Sequence, residues 1–252
     1  MIGVFILGYS GADYFLNWHS QIKFGNDIKF YYIDNGNQKL NSYLQNMLIY
    51  QTSQNIFCSG GWNLICDIAF EDFNLDKIII GQEDAIFTHE VVQEIYRCTN
   101  PNQICGAYDR SFEFSLFGIH KQTFKKLGRF DENFILGGCE DNDYKQRCKL
   151  NNINIISLNI PADYNCSLTG ELRSKYNKNN SNYLHQKWGK QVNNYNKIYE
   201  FEIPFNGEKN VVPNEEYKNY FSSLTINNFM SETEYQLYKK QKNNYESIRN
   251  LS

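Results

Sequence analysis

Three consecutive isoleucines, Ile78-Ile79-Ile80, run within two residues into Gln82-Glu83-Asp84. A β-branched run this short reads as a buried strand. A helical pattern follows from about His89, so the polar triplet falls at the strand's carboxyl end. Open α/β sheets bind their ligands at that end of the strands. Carboxylates placed there, with a helix behind them, suit a hard divalent cation that carries phosphate oxygens. The same triplet is also ordinary helix-entry chemistry, because Asp and Glu favour helix N-termini. The stretch from Asp76 to Glu94 by itself leaves both readings open.

The chain ahead of it has a matching organisation. Ile2 to Leu7 reads as a strand, closed by Gly8-Tyr9-Ser10-Gly11. A helix is predicted over Ala12 to Phe24, with Tyr14, Phe15, Trp18 and Ile22 as its apolar positions. Ile28 to Ile33 is a second strand, ending in Asp34-Asn35-Gly36-Asn37. Strand, helix and strand in that order imply a parallel pair. Asp34 suits an Asx-turn, and a carboxylate there could equally accept a nucleobase N–H. Leu40 to Met47 reads as a short helix and Leu48 to Tyr50 as a short strand. In Asn55 to Asn63 the pair Gly60-Gly61 precedes a helix predicted from Leu64 to about Phe70. Adjacent glycines let backbone approach a ligand closely, and free N–H groups at a helix start attract phosphate.

Downstream, Val91 to Arg97 is helical, Ile104 to Tyr108 and Glu113 to Gly118 read as strands, and His120 to Leu127 is a helix. A turn-rich link, Gly128 to Phe134, leads to Gly137-Gly138-Cys139 and then Glu140, Asp141 and Asp143, which open a helix reaching about Leu150. Ile153 to Leu158 is a further strand. Beyond Asp163 the apolar signal thins, and Asn177 to Asn182 reads as a polar, mobile loop before the cluster Leu184 to Gly189. From Tyr199 to Ser252 the chain is polar with scattered aromatics, and Ser231-Glu232-Thr233-Glu234 fits a capping box opening a helix to about Ile248. The expected division is one domain over 1–198 and a partly helical extension over 199–252.

Composition bounds the function classes. The 252 residues suffice for one large α/β domain with an appendage, and 41% hydrophobic with 16% aromatic residues support a sizeable core. A net charge of -3 lacks the basic stripe of a nucleic-acid binder. Seven cysteines without a CxxC pair give neither a zinc ribbon nor a redox motif, and reduced, mostly buried thiols are expected. Met1 to Gly8 is too short for a signal peptide and lacks its charged flank. No apolar run has the length that spans a bilayer. The sequons at Asn165, Asn179 and Asn250 therefore carry little weight. The expected location is cytoplasmic or peripheral to a membrane.

Several blocks together resemble the nucleotide-sugar glycosyltransferases of the GT-A fold, most closely the large inverting family numbered two, over roughly the first 190 residues. Ile33-Asp34-Asn35-Gly36-Asn37 is similar to that family's V-D-N-G-S segment. Asn55 to Asn63 is similar to its N-x-G-x-x-G-G-x-N segment, with Ile56-Phe57 where an apolar residue and Gly are usual. Gln82-Glu83-Asp84 falls where the family carries D-x-D. Leu127 to Phe134 matches I-G-x-F-D-E-x-F, Glu140 through Arg147 matches E-D-x-D-x-x-x-R, and Lys187-Trp188-Gly189 matches K-W-G.

The resemblance implies an α/β fold with a mixed, mainly parallel sheet flanked by helices, and transfer of a sugar, of hexosyltransferase type, from a nucleotide sugar, a UDP-sugar being favoured. It implies a glycan or glycoconjugate hydroxyl as acceptor. Carried over, Asp34 would bind uracil, with Tyr9, Asn35, Gly60, Gly61, Asn63, Gln82 and Glu83 around the donor nucleotide. Asp84 would hold a divalent cation, Mn²⁺ or Mg²⁺. Asp141 would be the general base, with Glu140 shaping the acceptor pocket. A sugar hydroxyl is a poor nucleophile, so a positioned carboxylate assists in the transition state, and a metal neutralises the leaving diphosphate. Two departures stand out: Gln82 replaces the first acidic position of D-x-D, and Tyr164-Asn165-Cys166 lacks the family's late His.

Plainer roles compete. Asp141 is also good N-cap material, and Asp143 with Arg147 suits an i, i+4 ion pair on a helix. Trp188 and Cys139 read as packing residues, and the four histidines show no ligand spacing. Two other functions compete as well. A sugar nucleotidyltransferase would carry a basic residue in its first loop, and Leu7 to Gly11 has none. A non-catalytic glycan- or nucleotide-sugar-binding relative would tolerate Gln82. The extension from Tyr199 has three open roles: covering the acceptor site, forming a homodimer, or leaning on a membrane.

Overall fold

The computed structural model describes residues 1–35, 47–52, 55–107, 114–134, 137–158, 163–164 and 170–188. The strands are β1 (Ile2–Gly8), β2 (Ile28–Asp34), β3 (Leu48–Gln51), β4 (Lys77–Gln82), β5 (Ala85–Ile86), β6 (Gln103–Ala107), β7 (Leu116–His120), β8 (Asn154–Leu158) and β9 (Asp163–Tyr164). The helices are α1 (Ala12–Gln21), α2 (Phe57–Asp67), α3 (His89–Cys98), α4 (Lys121–Leu127), α5 (Glu140–Leu150) and α6 (Gly170–Trp188).

Seven strands form one sheet in the order β3-β2-β1-β4-β7-β6-β8. β1 pairs parallel with β2 and β4, β2 with β3, and β6 with β8. β7 runs antiparallel between β4 and β6. This is the mixed, mainly parallel architecture expected. Both faces are covered, as buried parallel strands require. Along β1 the pleat sends Phe5 and Leu7 to a core shared with α2, α4 and α5, and Val4 and Ile6 to a core shared with α1 and α3. Strand order reverses at the β1–β4 pair, the crevice where such sheets bind ligands.

Several boundaries differ from the sequence reading. α1 stops at Gln21, where Ile22 turns extended. The second helix begins at Phe57, seven residues before its expected start, and after Asp67 it continues as one π-helical turn, Ile68–Asp72. The reason is packing: α2 lies against the sheet through Gly61 and Ile65, so its glycines sit inside a buried helix. β7 is displaced to Leu116–His120, and His120 caps α4 by accepting Gln122 N–H on Nδ1 at 3.1 Å.

The expected mobile loop at Asn177 to Asn182 is instead part of α6. Asn180, Tyr183, Leu184, Lys187 and Trp188 of that helix are buried against the domain, a tertiary anchor that overrides weak local propensity. β9 and β5 form a separate two-stranded antiparallel sheet immediately after the polar triplet. The readings at Gly36, Asn37, Leu40, Tyr108, Glu113, Cys166, Gly189 and the whole of 199–252 lie outside the described residues. No helix among the described residues is long and apolar enough to cross a membrane.

Candidate active site

Strand register assembles the site's floor. Gly8 pairs with Asp34, Asp34 with Gln51, and Leu7 with Gln82, so the carboxyl ends of β1, β2, β3 and β4 align at one edge. Asp34 is fully buried there, and its Oδ2 accepts Gln51 Nε2 at 3.0 Å. Asn35 is a clamp. Its Oδ1 accepts Ile56 N–H at 2.8 Å, and its Nδ2 donates to Asn55 Oδ1 at 2.9 Å and to the Phe57 carbonyl at 3.2 Å. These bonds hold Phe57 at φ 61, a left-handed conformation at the position where the resemblance expects Gly. A bulky residue in that region is a true outlier, sustained only by surroundings that over-determine it.

Glu83 was expected beside the donor and does something else. Its Oε1 accepts the backbone N–H groups of Tyr9, Ser10 and Gly11 at 2.9, 2.9 and 2.7 Å. Its Oε2 accepts the Tyr32 hydroxyl at 2.6 Å. Three converging N–H groups ahead of a helix are an anion site, and the chain fills it with its own carboxylate. A Cβ at Gly8 would stand 1.8 Å from the Tyr32 hydroxyl oxygen, so that position must be glycine. Tyr9 is held at the same turn through its backbone N–H. Gln82 and Asp84 flank Glu83, both half-buried.

Gly60, Gly61 and Asn63 also depart from expectation. Gly60 and Gly61 lie in the first turns of α2, not in an open loop. A Cβ at Gly61 would stand 2.4 Å from Leu7 Cδ1, so this glycine permits close helix–sheet approach. Asn63 is fully buried: its Oδ1 accepts Phe130 N–H at 2.8 Å, while its Nδ2 donates to the Phe130 carbonyl at 2.9 Å and to Glu132 Oε1 at 2.7 Å. It ties α2 to the Gly128–Phe134 link, with both Nδ2 hydrogens committed there. Trp62 packs among Phe114, Phe117 and Phe130 in the core.

The carboxylates Glu140 and Asp141 open α5 as expected, behind a run of positive φ at Gly137 (125°), Gly138 (107°) and Cys139 (75°). A Cβ at Gly137 would stand 3.0 Å from Cys58 Sγ and 3.5 Å from Glu140 Oε1. The α5 entry therefore abuts the start of α2, which itself leaves the carboxyl edge of the sheet after β3. Glu140 is buried and Asp141 half-buried. Lys145 Nζ donates to Asp141 Oδ2 at 2.9 Å across one helical turn.

The pair Asp143–Arg147 exists, but in the interior rather than on a helix surface. Trp188 Nε1 donates to Asp143 Oδ1 at 2.7 Å, and Lys187 Nζ stands 2.8 Å from the same oxygen. Lys187 also donates to Asp131 Oδ2 at 2.5 Å, which accepts the Tyr183 hydroxyl at 2.7 Å. Arg147 donates to the Leu127 and Arg129 carbonyls. Two carboxylates and two cations thus balance in a desolvated cluster that joins the link, α5 and α6. Burial pushes the Asp143 carboxyl up, but Arg147 and Lys187 outweigh it and hold it below the ordinary value. No local pattern points to Asp131 and Lys187 as partners, since they are fifty-six residues apart.

Among the described residues no group of three His, Cys, Asp or Glu side chains could hold a metal ion. Gln82 is neutral, Glu83 is engaged by the β1–α1 turn, and Asp84 is the triplet's second carboxylate. That does not make a resident metal centre. It does suit a divalent ion that arrives on a diphosphate, because such ions take few protein ligands beside phosphate and water oxygens.

No family model matches the sequence, and no curated protein does. Among solved structures, the chain is similar to GalNAc-T7 in complex with UDP, GalNAc and Mn²⁺, at 9% identity and TM-score 0.44, covering 63% of this chain and 42% of that one. It is also similar to the galactosyltransferase LgtC in complex with donor and acceptor sugar analogues, at 13% identity and TM-score 0.34, covering 50% and 59% of the two chains. An active-site mutant of LgtC aligns at 12% identity and TM-score 0.37, with the same coverage. The chain thus spans about half the length of these structures.

Proposed function

We propose that this chain is an inverting glycosyltransferase that moves a sugar from a UDP-sugar to a hydroxyl of a glycan or glycoconjugate. One observation carries the reading: strand register sets Asp34 and Gln82 on one carboxyl edge at the sheet's switch point, Asp84 follows in the next turn, and the α5 entry with Glu140 and Asp141 is packed beside the helix that leaves that edge. In this reading the transferase unit is 1–198 and residues 199–252 are an extension.

Asp34 accepts the uracil N–H, displacing the Gln51 amide that holds its Oδ2. Asp141 takes the proton of the acceptor hydroxyl as that oxygen attacks the anomeric carbon and the bond to the diphosphate oxygen breaks. Attack opposite the leaving group inverts the anomeric centre. Lys145 fixes Asp141 Oδ2 and so orients the carboxylate for its task. A divalent ion carried in on the diphosphate would take Asp84 as its protein ligand and neutralise leaving-group charge.

Calorimetric titration of UDP and GDP, each with and without Mn²⁺, on wild type and Asp84→Ala tests the donor half. UDP binding that needs metal and is lost in Asp84→Ala is the expected result. No binding of either nucleotide would overturn the proposal. A second reading, a nucleotide-sugar-binding relative without transfer, draws on the engagement of Glu83 and the neutrality of Gln82. Donor hydrolysis separates the two: UDP-sugar consumption by wild type that Asp141→Asn abolishes excludes the binding-only reading.

A further inference from the structure

Helix α1 opens at Gly11 without a side-chain cap from that position. The usual device is a Ser, Thr, Asp or Asn there, whose oxygen accepts an N–H of the first turn. In this chain the acceptor comes from the end of the neighbouring strand. Glu83, the residue after β4, takes the Tyr9, Ser10 and Gly11 N–H groups on one carboxylate oxygen and the Tyr32 hydroxyl on the other. A local cap would steady α1 alone. The remote one also fastens the turn between β4 and β5 to the turn between β1 and α1, and both turns lie on the carboxyl edge at the switch point.

The main chain of Glu83 is pinned as well. Its N–H donates to the Leu7 carbonyl at 3.1 Å, and its carbonyl accepts Trp18 Nε1 at 3.3 Å. On the other flank of Asp84, Ala85 is fully buried and pairs with Tyr164 in the β5–β9 sheet. Glu83 and Asp84 alone connect β4 to β5, so Asp84 sits in a turn that is fixed at both ends. Its own side chain is half-buried at the edge.

We infer, on the donor reading given above, that Glu83 is a positioning residue: by clamping the β1–α1 turn it places the Asp84 carboxylate for the divalent ion that arrives on the diphosphate. Glu83 acts through Asp84 rather than on the ion. A group that orients a metal-binding carboxylate from behind is worth about 10–100-fold in metal affinity. The same clamp holds Tyr32 on β2, two residues before Asp34, so the strand that carries the base-binding carboxylate and the turn that carries Asp84 share one anchor.

Mn²⁺ titrations at a fixed UDP concentration, read by calorimetry on wild type, Glu83→Gln and Tyr32→Phe, test the assignment, with uridine titrated separately as the metal-free probe. Glu83→Gln keeps one acceptor oxygen for the turn. Tyr32→Phe removes one partner of Glu83 and leaves the triplet intact. The Mn²⁺ concentration for half-saturation should rise about tenfold in Glu83→Gln and by less in Tyr32→Phe, while uridine affinity stays at the wild-type value. A merely structural role predicts otherwise: fewer binding-competent molecules at an unmoved Mn²⁺ midpoint, or an equal weakening of Mn²⁺ and uridine. Either result overturns the inference. Should Glu83→Gln not fold, an unmoved midpoint in Tyr32→Phe overturns it equally. Wild type that binds no UDP in the presence of Mn²⁺ would remove the donor reading itself. Wild type that binds UDP with metal, beside a Glu83→Gln of unchanged midpoint, would leave that reading standing and remove only the role of Glu83.

Discussion

Glu83 Oε1 lies 2.7 Å from the amide nitrogen of Gly11, a residue seventy-two positions earlier. With the Tyr9 and Ser10 amides it closes an anion cradle at the entry of α1, and the Tyr32 hydroxyl completes the carboxylate's shell. The chain has thereby filled with its own side chain the one helix entry that follows β1 directly. That entry is accordingly closed to an external anion.

Glu83→Ala should destabilise the fold by about 2–4 kcal/mol, because it strands buried donors that lose their common acceptor. Glu83→Gln keeps one acceptor oxygen and should cost clearly less. Urea denaturation of both variants measures the difference. Equal costs would mean that the carboxylate's hydrogen bonds are not what anchors this turn.

Lys187→Met should cost about 3–5 kcal/mol by leaving Asp131 buried without its cation. The double variant with Asp131→Leu removes both charges and should recover much of that loss. A double-mutant cycle by chemical denaturation reads the coupling, and strict additivity of the two changes would count against the cluster described.

Gly61→Ala should cost about 1–3 kcal/mol through overpacking, since the added carbon meets Leu7 in the core. Leu7→Ala alone should be destabilising, yet paired with Gly61→Ala it should be less so than the sum. Thermal unfolding of the four proteins settles the sign.

Acid should weaken the fold in part through His19. Burial among Phe15, Trp18, Phe24 and Phe30 lowers its proton affinity below the ordinary value of 6.5, and its Nε2 has no hydrogen-bond partner among the described residues. The unfolded chain therefore binds the proton more tightly. Stability is in full above the ordinary value and drains as pH falls through it toward the lowered folded value. His120, lowered by burial despite Asp76, adds the same sign while its Nδ1 caps α4. Denaturation curves between about pH 8 and about pH 5 should flatten in His19→Phe.

The local code of this chain is readable where periodicity alone decides. Ile78 to Ile80, Ile2 to Leu7 and Ile28 to Ile33 had to be strands, and the polar residues that end them had to share an edge once the strands paired in parallel. The placement of Asp34 and Gln82 at that edge, with Asp84 just beyond it, was legible for that reason, as was the acidic entry of α5. What pairs with those residues was not legible. Glu83 and Asp84 are neighbours in the chain, but only the approach of the β1–α1 turn commits Glu83 to three backbone amides. Gly60-Gly61 reads as an open loop until Leu7 is found against it. Asn177 to Asn182 reads as a loop because its own residues have little reason to be helical, and burial of Tyr183, Lys187 and Trp188 supplies that reason from outside. Side-chain period and turn chemistry are properties of adjacent residues, so sequence determined the strands and their polar ends. The partner of a buried charge is chosen by desolvation across the fold, and only the tertiary structure decided it.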